Sequence, residues 1–462
     1  MRKFLSVIIF IFIFLLSTKN AFAIYDPLSV PNNKFGIHII NDQDLKDAEN
    51  LTNSSGGDWG YVTLVITESQ RDTSRWQKVF DSMRRMHLIP IVRIATNPTG
   101  DTWGIPDTNQ INSWASFLNS LNWVTQNKYV VVLNEPNHAK EWGGKIDPKG
   151  YAEYLKLFST KLKSASDDFY ILPAGLDASA KNTPQTMDET QFLNAMVKDD
   201  PNIFDYIDGW TSHSYPNPDF SGKETDKGRG TVDTFDWEMT YLKKIGLKKD
   251  LPIFITETGW SNKKLDEHQI SGKFQYAFQN VWSDPRIVAV TPFVLNYGQE
   301  PFVEFSWKNN DGTFRAFYDD VRKLSKTPGQ PKQINTGSIL AAIAQPLSLP
   351  NSNFAGALIA KNTGQTIWDP TNIFVAGASD KLDLTTLGFN PLEPPNIGII
   401  FFKAKSPNST GLFGESVFLK DKKGNKITNN FSIESAVVKP DLMQVQAFFG
   451  KIATEVKNFI KL

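Results

Sequence analysis

The sequence predicts an α/β protein: a (β/α)8 TIM barrel, then an all-β sandwich and a C-terminal amphipathic helix. Eight β-rich apolar runs alternate with amphipathic stretches, and a later region has short runs without helical periodicity. The last segment places apolar residues at helical spacing. We rely on these three observations because the period of hydrophobic residues is the main signal that separates helices from strands.

The first 23 residues are typical of a secretory signal peptide. Arg2 and Lys3 precede an apolar run over residues 4–16, and residues 21–23 (AFA) form a small-residue cleavage site. An uncleaved membrane anchor is the alternative, but the run is shorter than the roughly 20 residues that span a bilayer. We therefore expect a secreted or extracytoplasmic protein, with the cell surface as one such location.

The eight apolar runs predict the parallel strands of the barrel, to which we assign residues 24–325. They begin at Phe35, Tyr61, Leu88, Tyr129, Phe169, Tyr206, Pro252 and Val288. Several are nearly continuous Val, Ile and Leu, as in parallel strands covered on both faces. A doubly wound open sheet is the alternative, but the segment after Ile40 lacks the Gly-rich phosphate turn of that fold.

The segments between the runs predict helices. Residues 73–86 place Trp, Val, Phe and Met at three- and four-residue spacing, and Pro148 begins a second helix with one apolar stripe. Residues 317–324 predict the helix that closes the barrel. Eight such β-α units in about 300 residues fit the size of a (β/α)8 barrel.

The remainder of the chain divides into three parts. Residues 326–337 are rich in Pro, Gly and polar residues and predict a linker. Residues 338–438 have short apolar runs broken by turn clusters, which predicts a β-sandwich. Residues 439–462 predict an amphipathic helix, with Asp441 as its N-cap. Its apolar stripe consists of Leu442, Val445, Phe449, Ile452, Val456 and Phe459. This helix either docks on its own protein or contacts a protein partner or a membrane surface.

Composition excludes some classes of function. The chain has 49 basic and 49 acidic residues, so it lacks the basic excess of a nucleic-acid-binding protein. It has no cysteine, which excludes disulfides, a thiolate nucleophile and cysteine-bound metals. It contains 12 Trp, 12 Tyr and 33 Phe. Aromatic residues build cores, but they also form platforms that stack on sugar rings, and composition does not separate the two uses.

Two glutamates stand where predicted strands meet loops. The fourth run ends at Glu135 and the seventh at Glu257. The C-terminal ends of barrel strands converge on one mouth, and strands four and seven lie on opposite sides of the ring. A single Glu is usually a solvated surface charge, but each of these follows an apolar stretch, where an unpaired charge is costly. A facing pair of carboxyl groups is what glycoside hydrolysis requires.

The motif Asn134-Glu135-Pro136 after a Val-rich run, combined with Glu257 in ITETGW, resembles clan A of the glycoside hydrolases, as in a family 5 or family 39-like retaining barrel. The match covers roughly residues 34–325. The resemblance implies double displacement on the β-glycosidic bonds of an oligo- or polysaccharide. In that reaction Glu135 is the acid/base, Glu257 is the nucleophile, and Asn134 bonds the 2-hydroxyl of the sugar.

The resemblance implies three supporting residues. Arg93 lies in the third run, where the clan keeps an Arg beneath the nucleophile, and a nearby cation lowers the pKa of a carboxyl group. His213 and Tyr215 in SHSYP match a His-x-Tyr of the clan. They would orient Glu135 and donate to Glu257 respectively. Taken alone, His213 is more often a satisfied core histidine.

The sequence departs from the clan at the eighth run, where many members place a Trp under the sugar. This run ends Leu-Asn-Tyr297, so Tyr297, Trp260 or Trp307 are candidates for the sugar platform. Trp142 and Trp210 are further candidates. Each of these last two, taken singly, is more often a core residue than a platform.

The sandwich sequence is similar to immunoglobulin-like accessory domains in residues 362–368 (NTGQTIW), Gly411 and the turn at 421–424. Such a domain would bind polysaccharide, contact the barrel or act as a spacer. Trp368 would be a sugar platform or, as is more common, a core residue.

Other functions have weaker support. Glu135 and His138 are three residues apart, but Pro136 disfavours a shared helical face for metal ligation, so we predict no metal and no cofactor. A catalytically silent barrel that binds glycans, or a cell-surface adhesion protein, is the alternative to a hydrolase. We expect a monomer with a carbohydrate partner and no nucleic acid.

Overall fold

The computed structural model describes residues 24–379 and 381–439. The predicted signal peptide (1–23) and residues 440–462 of the predicted C-terminal helix lie outside this range. None of the helices in the described part of the chain has the length and hydropathy needed to cross a membrane.

Eight short parallel strands form the first domain, as predicted. They are β1 (Gly36–His38), β2 (Gly60–Thr67), β3 (Leu88–Ala95), β4 (Lys128–Val132), β5 (Phe169–Pro173), β6 (Trp210–His213), β7 (Ile253–Glu257) and β8 (Ile287–Val290). Strands β1 to β5 pair in chain order, and so do β6 to β8. Single bridges, Asp177 to His213 and Phe35 to Val290, join the two sheets, so the strands follow one another around a barrel.

One strand begins four residues later than the sequence predicts, whereas the other seven begin within one residue of the predicted positions. The sixth run was expected to begin at Tyr206, but residues Ile203–Tyr206 form a 3-10 turn and β6 begins only at Trp210. The intervening Asp208 accepts a hydrogen bond from the backbone N–H of Ile171, so an acidic side chain caps the edge of β5 there. An apolar run in the sequence does not show that its first residues form a 3-10 turn before the strand begins.

Eight helices follow the strands within the described residues: α1 (Leu45–Thr52), α2 (Thr73–Arg85), α3 (Ile111–Ser120), α4 (Pro148–Ala165), α5 (Glu189–Asp199), α6 (Thr234–Lys244), α7 (Glu267–Tyr276) and α8 (Ala316–Arg322). Asp147 caps α4 by accepting from the N–H of Gly150, and Pro148 occupies its first turn. The apolar faces of the helices and the outward residues of the strands form one continuous core.

A second, smaller core fills the inside of the barrel. Inward residues alternate along each strand, as in Ile89, Ile91 and Arg93 of β3, because side chains of a strand have a period of two. Tyr129 and Phe254 close the lower part of this interior, with ring centroids 5.3 Å apart. The barrel is therefore packed at its base and polar only at its mouth.

The second domain is a sandwich of two four-stranded sheets. Its strands are β9 (Gly337–Ala344), β10 (Leu347–Ser348), β11 (Asn353–Asn362), β12 (Ile373–Gly377), β13 (Asp383–Gly388), β14 (Ile397–Lys405), β15 (Gly411–Asp421) and β16 (Phe431–Val437). The sheets have the orders β9-β11-β14-β13 and β10-β16-β15-β12, and all pairs are antiparallel except β10 with β16. Trp368 is fully buried between them, so it is a core residue.

The segment between the domains is packed against the barrel. The ammonium group of Lys326 donates to the carbonyl oxygens of Val321, Arg322 and Leu324 at the end of α8, where a cation complements the helix dipole. Gln365 of the sandwich donates to the carbonyl oxygen of Thr125, 2.7 Å away. The predicted linker thus joins two domains that contact each other directly.

Two buried glutamates lie behind strand β6. Glu189 in the first turn of α5 and Glu238 of α6 are both 0% exposed. Burial raises the pKa of both carboxyl groups, and the charge of Glu238 raises that of Glu189 further. Among the described residues, Arg229 is the cation within 4 Å of this pair, with its Nε 3.7 Å from Glu189. One cation does not neutralise two buried carboxylates, so the folded chain holds protons here more tightly than the unfolded chain does.

This proton linkage predicts how stability depends on pH. A carboxyl group with a raised pKa in the folded state stabilises fully below its unfolded pKa of 4.5, and this contribution is lost as the pH rises. The substitution Glu238→Gln removes one ionisation and its repulsion of Glu189. We expect its Tm to exceed that of the wild type by about 1–2 °C at pH 8, the shift that about 1 kcal/mol produces in a domain of about 300 residues.

Calorimetry at pH 5 and pH 8 measures the effect, and the advantage should be smaller at pH 5. Glu153→Gln on the exposed face of α4 is the matched control. A stabilisation by Glu238→Gln that is equal at both pH values would contradict this interpretation.

Candidate active site

The mouth of the barrel brings two carboxyl groups together. Glu257 is the last residue of β7, and Glu135 lies three residues beyond the end of β4. One carboxylate oxygen of each and a ring nitrogen of His213 all lie within 4.8 Å of one another. The side chains of Glu135 and Glu257 are 17% and 10% exposed, so both are reachable from solvent but mostly enclosed. The two glutamates predicted from strand ends therefore face each other.

His213 lies between the two carboxylates at the end of β6. Its Nδ1 is 2.9 Å from Oε1 of Glu135 and 3.8 Å from Oε2 of Glu257. Burial alone would lower the pKa of the imidazole, but the negative charges of Glu257 and Glu135 raise it overall. His213 is therefore a donor to Glu135, as the sequence resemblance implied for its position.

Gly175 makes room for that imidazole ring. A Cβ atom on Gly175 would lie 2.2 Å from the ring carbon Cδ2 of His213. The carbonyl oxygen of the same glycine accepts from the N–H of Glu135, 3.0 Å away. Gly175, just after β5, thus fixes the backbone of Glu135 and leaves space for the imidazole ring of His213.

Arg93 lies directly beneath both Glu257 and Asn134. Its Nη1 donates to Oε1 of Glu257 at 2.7 Å and to Oδ1 of Asn134 at 2.5 Å. A guanidinium group is always charged and presents several donors in a fixed plane, so one Arg can orient both groups. The amide nitrogen of Asn134, which does not bond Arg93, is thereby directed away from it.

The surroundings of Glu257 keep its carboxyl group ionised. Burial would raise its pKa, but the charges of His213 and Arg93 and the hydrogen bond from Tyr215 lower the pKa below its usual value. The hydroxyl of Tyr215 donates to Oε2 of Glu257 at 3.1 Å. Burial and the neighbouring carboxylates raise the pKa of Tyr215 well above its usual value, so this phenol keeps its proton.

The backbone around Glu135 is held in an uncommon conformation. Leu133 and Glu135 have φ angles of 72° and 31°, in the left-handed region that L-residues rarely adopt. Such strain persists only where the surrounding structure fixes it, and it concentrates at functional sites. Here the bond from Glu135 to Gly175 and the burial of Leu133 hold the turn that aims the carboxylate into the mouth.

A cleft of about 650 Å³ opens above these residues. One wall is aromatic and is formed by Phe220, Phe293, Tyr297, Phe302 and Phe305. A second part of the lining, which we call the polar wall, includes Gln70, His138, Lys140, Glu141, Asp177, Ser179 and Asn217. A wall that offers flat apolar rings and a wall that offers hydrogen-bonding groups match the two kinds of surface that a sugar ring presents.

Of the five residues predicted as sugar platforms, Tyr297 lines the cleft. The four tryptophans lie elsewhere. Trp142, Trp260 and Trp307 are buried in the core at 4%, 2% and 1% exposure, and so is Trp210. Trp260 packs edge-on against Phe274, with ring centroids 4.9 Å apart. These platform assignments are therefore wrong. Large rings close to a barrel mouth also fill the layer between strands and helices, and sequence position does not separate the two places.

Several residues in the cleft or buried beneath it were not predicted from the sequence. Trp103, in a short hairpin after β3, lines the cleft. His38 at the end of β1 is fully buried with its Nδ1 3.9 Å from Glu257. Burial and the charge of Arg93 lower the pKa of His38 to about 3, so its imidazole is neutral. The strand-end rule that located Glu135 and Glu257 would also have located His38.

The polar wall contains a further carboxyl group and an ion pair. Glu141 has a side chain only 9% exposed, and burial together with the charge of Glu135 raises its pKa to about 7. Nε2 of His138 lies 2.8 Å from Oδ2 of Asp177. His138 therefore forms an ion pair with Asp177, and it does not join Glu135 in a metal site.

Glu135, His213 and Glu257 are the described residues whose ligand atoms are close enough to hold a metal ion. The electrostatics oppose this use. His213 already donates to Glu135, its pKa is raised, and the guanidinium of Arg93 is bonded to Glu257. A divalent cation would have to displace these positive groups, so the cluster fits proton transfer better than metal binding.

Comparisons with known proteins show similarity in structure but not in sequence. No protein-family model and no curated protein matches the chain. A family 39 glycoside hydrolase from Bacteroides cellulosilyticus WH2 has 14% identity and a TM-score of 0.45, over 83% of this chain and 82% of its own. A monomeric β-xylosidase from Caulobacter crescentus CB15 has 10% identity and a TM-score of 0.44, over 82% and 97%.

GH5_18 from Streptomyces cattleya, in complex with GlcNAc, has 13% identity and a TM-score of 0.46, over 64% of this chain and 80% of its own. The chain is thus similar in structure to glycoside hydrolases of families 39 and 5.

The contact between Arg93 and Glu257 predicts a measurable pKa. An opposite charge within hydrogen-bonding distance lowers the pKa of a carboxyl group by about 1–3 units. We expect Arg93→Met to raise the pKa of Glu257 by an amount in that range, because burial would then act without its nearest cation. Carbon-13 NMR titration of Glu-labelled protein measures the value, with the resonance assigned by Glu257→Gln. Arg93→Lys keeps the charge and should give a smaller change; equal shifts in the two variants would contradict the electrostatic explanation.

Proposed function

We propose that the protein is a retaining glycoside hydrolase that cleaves β-glycosidic bonds of an oligo- or polysaccharide. The approach of the two carboxylates supports this proposal most directly. Their nearest oxygens lie within 4.8 Å, close to the separation of about 5–5.5 Å typical of retaining enzymes. Inverting enzymes need about 6.5–9.5 Å, because a water molecule must fit between the sugar and the base.

In the first step, Oε of Glu257 attacks the anomeric carbon while Glu135 protonates the departing glycosidic oxygen. Glu257 suits the attack because His213, Arg93 and Tyr215 lower its pKa and hold it in one orientation. The products are a covalent glycosyl-enzyme ester and a free alcohol end of the sugar. Glu135 has then given up its proton and is a carboxylate beside the ester bond.

In the second step, Glu135 takes a proton from water, and the water oxygen attacks the anomeric carbon and displaces Glu257. His213 donates to Oε1 of Glu135 and stabilises its anionic form at this stage. Two inversions at one carbon give net retention of configuration. The amide of Asn134, fixed by Arg93, is the group we assign to the 2-hydroxyl of the sugar, a contact that strengthens in the transition state.

The substrate class follows from the cleft. The aromatic wall provides faces on which pyranose rings can stack, and the polar wall provides donors and acceptors for hydroxyl groups. We propose that export accompanies this function, since Tyr25 and Leu28, just after the predicted cleavage site, pack at the base of the barrel. A mature chain that begins at Ile24 would keep both residues packed at the base of the barrel. The immunoglobulin-like assignment of the sandwich and the monomeric state stay predictions.

Azide rescue distinguishes the roles of the two glutamates. With an activated aryl β-glycoside chosen from a panel, Glu257→Ala should lose activity and regain it in azide with an α-glycosyl azide as product. Azide then enters from the face that the missing carboxylate occupied. Glu135→Ala should lose about 10²–10⁴-fold in turnover of unactivated substrates and give a β-glycosyl azide, because azide attacks the intermediate.

Product configuration is read by NMR, and Glu153→Gln on the exposed face of α4 is the matched control. The proposal would be contradicted if both alanine variants kept full activity on a glycoside that the wild type cleaves. A wild type that binds glycans but cleaves none of the panel would instead favour the silent glycan-binding alternative.

A further inference from the structure

The mouth of the barrel holds a second pair of a histidine and a carboxylate beside Glu135. His138 lies three residues after Glu135, and Asp177 follows strand β5. Nε2 of His138 lies 2.8 Å from Oδ2 of Asp177, and both side chains line the cleft, at 19% and 30% exposure. We call these two residues the ion pair of the polar wall. Neither residue takes part in the proposed two-step reaction.

The two side chains carry opposite charges. Burial alone would lower the pKa of the His138 imidazole, but its hydrogen bond with Asp177 and the negative charges of Glu135 and Asp177 raise it overall. Burial would raise the pKa of the Asp177 carboxyl group, but the bonds from His138 and from the N–H of Ser179 lower it. The pair therefore presents a cation and an anion side by side in the lining of the cleft.

The buried side chain of Asn137 fixes the two loops that carry the pair. Its Nδ2 donates to the carbonyl oxygens of Asp177 and Met187 at 3.0 and 3.1 Å, and its Oδ1 accepts from the N–H of Asp177 at 3.2 Å. The backbone N–H of His138 donates to the carbonyl oxygen of Glu135, 2.8 Å away. These contacts hold the loops together without the ion pair, so its partly exposed groups remain open to a ligand.

The pair and its neighbours keep hydrogen-bonding capacity for such a ligand. Oδ1 of Asp177 accepts from the N–H of Ser179 at 2.8 Å and Oδ2 bonds His138, whereas a carboxylate has about four acceptor sites. Nδ1 of His138 forms no hydrogen bond with any described residue. The hydroxyl of Ser179 accepts from Nδ2 of Asn217 at 2.8 Å and keeps its own proton for donation. Donors and acceptors this close together suit a partner that has several hydroxyl groups.

The aromatic wall adjoins the proposed nucleophile. Tyr215 donates to the carboxylate of Glu257 at 3.1 Å. The ring centroid of Tyr215 lies 5.1 Å from that of Phe220 and 5.8 Å from that of Phe305. The ion pair adjoins Glu135 instead, so the two kinds of lining are divided between the two carboxyl groups.

The proposed reaction places different parts of the substrate beside the two carboxyl groups. Glu257 attacks the anomeric carbon, so the sugar that is transferred to the enzyme lies over Glu257. Glu135 must come within about 2.6–3.2 Å of the departing oxygen in order to protonate it, so the leaving group lies beside Glu135. The ion pair of the polar wall is therefore next to the leaving group.

We propose that the ion pair of the polar wall is the centre of a leaving-group subsite that binds the hydroxyl groups of a second sugar. The preferred substrate is then a bond between two sugars, and glycosides of apolar alcohols are poorer substrates. This selectivity arises because an apolar leaving group would cover the charged pair without replacing the hydrogen bonds that the pair makes to water. The inference rests on the proposed hydrolase function, since it depends on protonation of the departing oxygen by Glu135.

Two substrates with the same transferred sugar test the proposal: a β-linked disaccharide and the cyclohexylmethyl β-glycoside. Both leaving alcohols need a proton from Glu135, but only the disaccharide offers further hydroxyl groups to the subsite. The ratio of the two kcat/KM values therefore cancels any defect in proton transfer. We expect His138→Ala and Asp177→Ala each to lower the disaccharide-to-alkyl ratio by about 10- to 100-fold, the range for the loss of a hydrogen bond to a charged group.

The chain provides a matched control at the base of the barrel. Asp58 pairs with His87 at 2.8 Å, and these residues precede strands β2 and β3, at the end of the barrel opposite the mouth. Asp58→Ala removes the same kind of ion pair and should leave the disaccharide-to-alkyl ratio unchanged.

Turnover of a trapped glycosyl-enzyme provides a second measurement. An activated 2-deoxy-2-fluoro glycoside labels Glu257, and an added sugar can then release the label. The hydroxyl oxygen of the added sugar bonds the anomeric carbon, the bond to Glu257 breaks, and the hydroxyl proton passes to Glu135. Intact-protein mass spectrometry follows the loss of the label. We expect added sugar to accelerate release in the wild type, and either alanine variant to lose most of this acceleration relative to release by water.

The outcomes separate this inference from the proposed function. A wild type that is neither labelled nor active on any glycoside contradicts the hydrolase proposal itself. A wild type that cleaves the disaccharide, with His138 and Asp177 variants that keep its substrate ratio and its sugar-accelerated release, overturns the leaving-group subsite alone. If the alanine variants fold poorly, Asp177→Asn keeps an acceptor for the N–H of Ser179, and an unchanged ratio in that variant overturns the subsite equally.

Discussion

The site depends on one interaction, the guanidinium of Arg93 beneath the carboxylate of Glu257. The carboxyl group of Glu257 is 10% exposed, and burial of this kind raises the pKa of a carboxyl group because it disfavours the charged form. Arg93, with His213 beside it, reverses that preference and leaves the carboxylate ionised. The same Arg holds Asn134, so one guanidinium group helps to keep Glu257 ionised and also orients Asn134.

The packing of the barrel holds these charged groups in place at its mouth. Arg93 is the third inward residue of β3, above Ile89 and Ile91, so the same two-residue period that fills the interior also delivers the cation to the mouth. β7 delivers Glu257 opposite β4, and Gly175 leaves space for the ring of His213. The apolar base supports the polar mouth because all of these strands are rigidly packed below it.

Much of this was predictable from the sequence. Strand ends locate Glu135 and Glu257, because a closed parallel barrel gathers strand ends at one edge. Arg93 and His213 were assigned only through the resemblance to clan A of the glycoside hydrolases. Burial of tryptophans was not predictable: Trp260 follows the nucleophile in sequence but turns into the helix layer, where Phe274 and Trp282 surround it. Phe220 and Trp103 line the cleft from loops. Their positions depend on the conformation of those loops, which the hydrophobic periodicity of the sequence does not predict.

The stereochemistry of hydrolysis tests the central claim most directly. When the wild type cleaves a β-glycoside, proton NMR in the first minutes, before mutarotation, reports the configuration of the new reducing end. One oxygen of each carboxylate lies within 4.8 Å of the other, closer than the about 6.5–9.5 Å that an inverting enzyme needs for its water, so we expect the β-anomer to appear first. An α-anomer as the first product would show direct attack by water and contradict Glu257 as the nucleophile.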